Sequence, residues 1–307
     1  MFLNGISKNY NVDILSTDVS LHSGIPKYLY NMKDKEFNDW EIPPWELYIF
    51  KDHLLGQGSF SKVYLAKWRE TFVVAKVIDH QFYKIKKDIV MREIDIMSKL
   101  HHPNIVQFLG YIDDPFTIIL EYIPSGDLNS NIKKLNKKQK ISIMKDILKG
   151  LAYIHNRRPN NLIHRDIKPT NILLTNSKVA KIADFGLSKF YNLNRINSFE
   201  NVSELETDNS KQPLLINDNT IPVGTERYMA PEVKNTTTYD NKIDIYSCGI
   251  LFYELFEGKK YIPNMEMKWY YTSKNIRNII TTKMFCEDPK QRLDALSIIR
   301  LLNNYNI

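Results

Sequence analysis

The chain is expected to be α+β and bilobal, with a small β-rich part followed by a larger helical part. Three observations lead there. From Tyr48 to about Ile78, apolar and β-branched residues fall in short runs around a glycine turn, which is the pattern of strands. Beyond Gly126, the residues Ile141, Met144, Ile147, Leu148, Leu151 and Ile154 recur at helical spacing. Ile243 to Phe256 is apolar almost all round, which suits a helix inside a core rather than on a surface. The pattern changes near residues 122–127, and ligands favour clefts at such junctions.

Taken in order, residues 1–45 are polar and weakly periodic and read as an extension, partly disordered. Within it, Trp40-Glu41-Ile42-Pro43-Pro44-Trp45 is expected to pack on the folded domain, with the proline pair stopping regular structure. That domain is expected over 46–303, its first lobe 46–122 and its second 127–303. The first strands are Ile49 to Leu55, Val63 to Trp68 and Phe72 to Ile78. A helix comes next, because Ile89, Glu93, Met97 and Leu100 recur about every four residues; Glu93 therefore lies on the apolar stripe. His102-Pro103-Asn104 breaks it, and strands Ile105 to Ile112 and Thr117 to Tyr122 succeed it. Leu293 to Leu302 is a last amphipathic helix. Asn192 to Asn219, rich in Asn, Ser, Asp and Glu, reads as a long mobile loop.

Bulk properties narrow the function. Two cysteines, Cys248 and Cys286, cannot build a disulfide framework and point to a reducing, cytoplasmic setting. No run of about 18 apolar residues is present, so no membrane span is expected. The N-terminus lacks the basic-then-apolar order of a signal peptide, and glycine at position 5 does not fit simple myristoylation. The net charge of +7 could favour anionic partners. The cluster Lys133, Lys134, Lys137, Lys138 and Lys140 has no interleaved aromatics to stack bases, however. It reads as a solvated turn between helices, and nucleic acid is not an expected partner.

The chemistry concentrates in His164-Arg165-Asp166-Ile167-Lys168-Pro169-Thr170-Asn171. Asp166 is a proton acceptor, Lys168 a point charge suited to phosphate, and Asn171 an amide oxygen suited to a metal. Asp184-Phe185-Gly186 adds a second hard oxygen ligand. Upstream, Gly56 and Gly58 let a strand turn sharply and let backbone N–H groups approach phosphate. Lys76 ends an apolar strand, and alternation puts Val74 on its face. A carboxylate on the apolar side of a helix is costly unless paired, so Glu93 is the natural partner of Lys76. His164 comes after apolar Leu162-Ile163 and is expected to be a packed, hydrogen-bonded residue rather than a base. In this order and spacing, these are the parts of a phosphoryl-transfer site using Mg²⁺ and ATP.

With the Gly56 loop, Lys76, Glu93, His164-Arg165-Asp166, Asn171, Asp184-Phe185-Gly186, Ala230-Pro231-Glu232, Asp244 and Arg292 in family order, the sequence resembles the eukaryotic protein kinases over about residues 45–302. Lys168 with Gly224-Thr225 looks like the serine/threonine branch. Trp40-Glu41-Ile42, the run His102 to Gly110 and Asp184 to Lys189 are similar to Raf-like and integrin-linked-kinase-like members of the tyrosine-kinase-like group. The resemblance implies a bilobal kinase fold, and protein serines and threonines as substrates. It implies that Leu55, Gly56, Gln57, Gly58, Ser59, Phe60 and Ser61 close over the nucleotide, that Val63, Val74 and Leu173 sandwich adenine, and that Glu121 and Ile123 offer backbone hydrogen bonds to it beside the gatekeeper Leu120. Asp127 would reach the ribose, and Lys76 with Glu93 would hold phosphate. Asp166 and Lys168 would be catalytic, with Thr225 bridging them, and Asn171 and Asp184 would bind Mg²⁺. Met97, Phe108, His164 and Phe185 would stack as a hydrophobic column. Asp244 would anchor the catalytic loop, and Glu232 would pair with Arg292.

Some positions depart from the pattern. Ser61 stands where a third glycine is usual. Val74 replaces a usual alanine and is expected to narrow the adenine pocket. The segment 184–232 is long, and the stretch between Phe256 and Ile276 is short, so a helix that often docks partners is expected to be reduced. A scaffold binding partners without turnover, the pseudokinase alternative, would be expected to lack Lys76, Asp166 or Asp184; all three are present. Arg165 is expected to receive a phosphate carried by Ser198, Ser203, Thr207, Ser210 or Thr220.

Overall fold

The computed structural model describes residues 39–158, 161–191, 226–235 and 239–305. The chain divides into two compact units, one running up to His101 together with Val106–Tyr122, the other comprising His102–Ile105 and the residues from Ile123 onward.

The first unit is a five-stranded antiparallel sheet with one long helix. Its strands are β1 (Leu47–Gln57), β2 (Ser61–Trp68), β3 (Thr71–Ile78), β4 (Phe108–Ile112) and β5 (Thr117–Glu121), in the spatial order β1-β2-β3-β5-β4. One face of the sheet is dry. Ile42, Leu47, Ile49, Ala66, Val73, Ala75, Ile112 and Ile119 form its core. Because strand side chains alternate, Val74 and Lys76 fall on the opposite face, and Val63 lies directly across from Lys76. The helix α1 (His80–Met97) starts where Asp79 accepts hydrogen bonds from the backbone N–H groups of Gln81 and Phe82, and it bends at Lys86, where the backbone leaves helical values. Leu100 is buried but lies past the helix end.

One feature of this unit bears out the sequence reading and one differs from it. Trp40 to Ile42, expected to pack on the folded domain, does so by joining the sheet: the Ile42 N–H bonds the Tyr111 carbonyl, and the Tyr111 N–H bonds the Trp40 carbonyl. The Trp40 ring packs on Phe108, with centroids 5.3 Å apart. The approach is close because residue 110 is glycine: at φ +155°, a Cβ there would lie 2.7 Å from both the Trp40 carbonyl oxygen and the Ile42 Cδ1. The difference is β4, which begins at Phe108 rather than Ile105: Ile105 belongs to the second unit, where it pairs as a parallel bridge with Ile182.

The second unit is mostly helical. Its elements are α2 (Leu128–Asn131), α3 (Lys137–His155), α4 (Pro231–Asn235), α5 (Lys242–Glu257), α6 (Lys274–Lys283) and α7 (Ala295–Asn304). Two small hairpin-like pairs join β6 (Asn161–Ile163) to β9 (Lys189–Tyr191) and β7 (Ile172–Leu174) to β8 (Ala180–Ile182). Within α5 every residue is buried except Lys242 and Tyr246, as its all-round apolar sequence requires. Helix α3 opens on a capping box of Asn136 and Gln139. Lys140 is therefore not in a solvated turn. It sits in the first turn of α3 and donates to the Phe256 carbonyl at the end of α5, where burial lowers its pKa against the opposing pull of Glu257. No helix forms between Gly258 and Ser273; the buried carboxylate of Glu257 instead accepts from the N–H groups of Tyr270, Tyr271 and Thr272. Among the described residues no helix is long and apolar enough to cross a membrane.

Candidate active site

In the second unit the loop from His164 to Asn171 is shaped by a buried acid beneath it. Asp244, in α5, is fully buried; its Oδ1 accepts from the Arg165 N–H, and its Oδ2 accepts from the His164 N–H and faces His155 Nε2 at 2.8 Å. Burial presses its pKa upward, but the hydrogen bond and charge of His155 and the contacts of His164 outweigh that and hold it below the ordinary carboxylate value. His164 is itself fully buried, its Nε2 lies 3.1 Å from the Ala183 carbonyl, and its ring meets Phe185 edge-on with centroids 4.9 Å apart. It is a packed residue, and no base. Arg165 and Asp184 both hold positive φ, 73° and 65°, conformations that cost a non-glycine residue energy and cluster at functional sites.

Asp166 projects from this loop and is 7% exposed. Its Oδ2 accepts from Lys168 Nζ at 2.7 Å and from Asn171 Nδ2 at 2.9 Å. Its Oδ1 is buried with no hydrogen-bond partner among the described residues. A buried acceptor left open costs free energy, which is a physical mark of a group waiting for a donor. Asn171 spends its amide N–H₂ on Asp166 Oδ2 and on the Asp166 carbonyl, so its Oδ1 is not the bonded end. The Ala183 N–H bonds the Asn171 carbonyl at 2.8 Å, which brings Asp184, the next residue, beside Asn171. The Asp184 side chain is exposed and accepts from the Gly186 N–H at 3.4 Å. Among the described residues no group of three His, Cys, Asp or Glu side chains is placed to hold a metal ion. An amide oxygen and a carboxylate are the donor types that suit Mg²⁺, which keeps waters and takes its other ligands from substrate phosphates.

Asp127 caps α2, accepting from the Ser130 N–H at 2.7 Å, and Leu173 stands across a backbone bridge from Asp127. The Ile123 side chain is buried, and its carbonyl accepts from Gly126 at 3.4 Å. Thr225 and all five candidate phosphate carriers, Ser198 to Thr220, lie outside the described residues, as does most of 184–232. The Arg165 guanidinium lies over the Tyr239 ring, 5.6 Å from its centre.

In the first unit Lys76 Nζ meets Glu93 Oε1 at 2.6 Å, so the pair inferred from the apolar stripe of α1 is formed, and both side chains are largely shielded. The turn from Leu55 to Ser61 is closed by the Gly58 N–H bonding the Ser61 carbonyl, with Ser59 and Phe60 between them and Gln57 paired with Lys62 just outside. Phe60 is exposed at 48% and stacks on Phe82, with centroids 4.2 Å apart. The N–H of Glu121 bonds the Gln107 carbonyl, and Val74 pairs with Leu120 across the sheet. Met97 and Phe108 are both buried in this unit.

Arg292 is 1% exposed and grips Glu232 with two parallel bonds of 2.5 and 2.9 Å while donating to the carbonyls of Cys286, Lys242 and Glu287. Sequence reasoning did not single out His155. It ends the apolar stripe of α3, so the rule that exposed the Glu93 partnership, a polar group on a dry face needs a partner, would have found it. Tyr228 was also missed; its hydroxyl donates to the buried Glu254 at 2.8 Å, and burial raises its pKa.

These geometries agree with the likeness to known proteins. The model of the protein kinase domain matches residues 49–303. The chain is 38% identical over 237 residues to the serine/threonine-protein kinase VIK of Arabidopsis thaliana, covering 74% of this chain and 50% of that protein. It is 30% identical over 231 residues to integrin-linked protein kinase 1 and 33% identical over 227 residues to the serine/threonine-protein kinase CTR1, both of Arabidopsis thaliana, covering 73% and 71% of this chain but 44% and 25% of theirs. The chain thus spans half or less of the length of these relatives. With the matched model running through both units and across every residue of the Asp166 loop, the chain belongs to the protein kinase domain family.

Proposed function

We propose that this chain transfers the γ-phosphate of Mg-ATP to serine and threonine hydroxyls of proteins, as a member of the tyrosine-kinase-like group. The observation that carries the reading is the open Oδ1 of Asp166, held in place by Lys168 and Asn171 on the other oxygen. A substrate hydroxyl donating to that atom is oriented for attack, and its proton passes there late in the transfer. Lys168 offsets charge on the moving phosphoryl group, and Lys76, steadied by Glu93, holds phosphate oxygens. The Leu55 to Ser61 turn offers backbone N–H groups to the same phosphates. Val63, Val74 and Leu173 are assigned to the adenine, Glu121 and Ile123 to its edge, and Asp127 to the ribose with the carboxylate oxygen its cap leaves over. Thr225 is assigned to the hydroxyl acceptor. Asn171 Oδ1 and the Asp184 carboxylate would hold Mg²⁺, which when bound neutralises phosphate charge. Support for the acceptor class comes from Lys168 and from the relatives, which are named as serine/threonine kinases.

Calorimetric titration of the chain with ATP tests the nucleotide half of the reading. Saturable binding that strengthens with Mg²⁺ and weakens in Asp184→Asn is expected. No uptake by well-folded protein would contradict it.

A further inference from the structure

The glycine turn and helix α1 are fastened together at two points. The Asp79 N–H donates to the Phe60 carbonyl at 2.9 Å. The Phe60 ring lies nearly flat on Phe82, at 4.2 Å and an interplanar angle of 12°. Asp79 is the N-cap of α1, and its carboxylate accepts from the Phe82 N–H, so cap, ring and turn share one junction. The same helical turn is anchored on its other side, where Tyr83 stacks on Phe116 at 4.1 Å. Phe116 is buried and precedes β5, and its carbonyl accepts from the Ile78 N–H at the end of β3. The anchor is thus the sheet itself.

We infer that Phe82 is a positioning residue for phosphate binding: by stacking on Phe60 it holds the Leu55–Ser61 turn to the helix that carries Glu93, so that the turn and the Lys76–Glu93 pair keep one setting. The ends of the turn are held by the Gln57–Lys62 and Ser61–Ile78 strand pairs, and nearer its tip the Gly58 to Ser61 bond is the other backbone restraint among the described residues, so its glycines leave the tip many conformations. A nearly half-exposed aromatic ring at its apex would be a solvation cost without a partner, and Phe82 supplies that partner. Phe82 touches no reacting group. Its effect is on the population of the binding-ready turn, so a substrate bound through that turn loses apparent affinity in proportion.

The kinetic arm rests on the kinase reading; the exchange arm does not. In nucleotide-free protein, Phe82→Ala should speed hydrogen exchange at the Gly58 and Asp79 amides by about threefold to tenfold, the worth of one aromatic stack. KM for ATP should rise by a similar factor while kcat stays within about twofold. Phe82→Tyr should restore both, and Phe60→Ala combined with Phe82→Ala should do no more than Phe60→Ala alone. Unchanged exchange in Phe82→Ala, or single-variant effects that simply add, would overturn the inference. If Phe82→Ala does not fold, Phe60→Ala, at an exposed ring, carries the same exchange test: faster exchange supports the fastening, and unchanged exchange overturns it. Wild-type protein that shows the stack by exchange but takes up no ATP would sink the kinase reading and leave the fastening standing.

Discussion

At the scale of single residues, the structure separates polar groups that are fully satisfied from one that is not. His155, His164, Asp244 and Arg292 are buried and satisfied, whereas Asp166 is buried and half satisfied. Glu93→Gln keeps the shape of the pair with Lys76 but removes its charge assistance, so kcat/KM for ATP should fall by about tenfold or more, as steady-state kinetics would record. Arg292→Ala removes five donors from a site that leaves Glu232 without its cation; urea unfolding should show a loss of about 3–5 kcal/mol. A loss below about 1 kcal/mol would mean that Glu232 finds water easily. The Lys76–Glu93 pair was legible in the sequence because a charge on an apolar stripe is anomalous. The open oxygen of Asp166 was not, because which of two oxygens is spent depends on rotamers that no spacing encodes.

At the scale of elements, Asp244 links α5 to the His164–Asn171 loop, and its lowered pKa gives that link a pH signature. A carboxylate whose folded pKa lies below its unfolded value of about 3.9 adds stability above that value, and the stability is lost as pH falls through the folded pKa. The stability gap between wild type and Asp244→Asn should therefore be constant from neutral pH down to about 4 and close only below that, as urea midpoints at a series of pH values would show. A gap that closes between about pH 7 and 5 would point to the histidines instead. The edge of β4 gives a second expectation. A chain begun at residue 46, where the sequence placed the boundary, loses the Trp40 stack, two backbone bonds and buried Ile42; it should be about 2–5 kcal/mol less stable than one begun at 39. Equal melting temperatures would show that the strand edge needs no cover. Strand and helix cores were legible from periodicity, but this edge was not. Three residues beside a proline pair carry no period, and only the missing Cβ of Gly110 hints that something comes close.

At the scale of the whole molecule, the family was more legible than the geometry. Phosphoryl transfer needs a few chemical types in a fixed order, and order survives in sequence. Lys140 shows the reverse case: a lysine-rich run reads as solvated, yet one of its members closes the end of a core helix 116 residues away, a contact set by tertiary packing alone. The short stretch after Phe256 read as a reduced helix, and the structure has no helix from Gly258 to Ser273, where the Glu257 carboxylate accepts the N–H groups of Tyr270, Tyr271 and Thr272. Incorporation of labelled γ-phosphate from Mg-ATP into a serine/threonine peptide library, by wild type and by Asp166→Asn at equal folded concentration, tests the central assignment most directly. Transfer by the wild type and a fall of about 10²–10⁴ in the variant is the result predicted. Equal incorporation by the two proteins would contradict it.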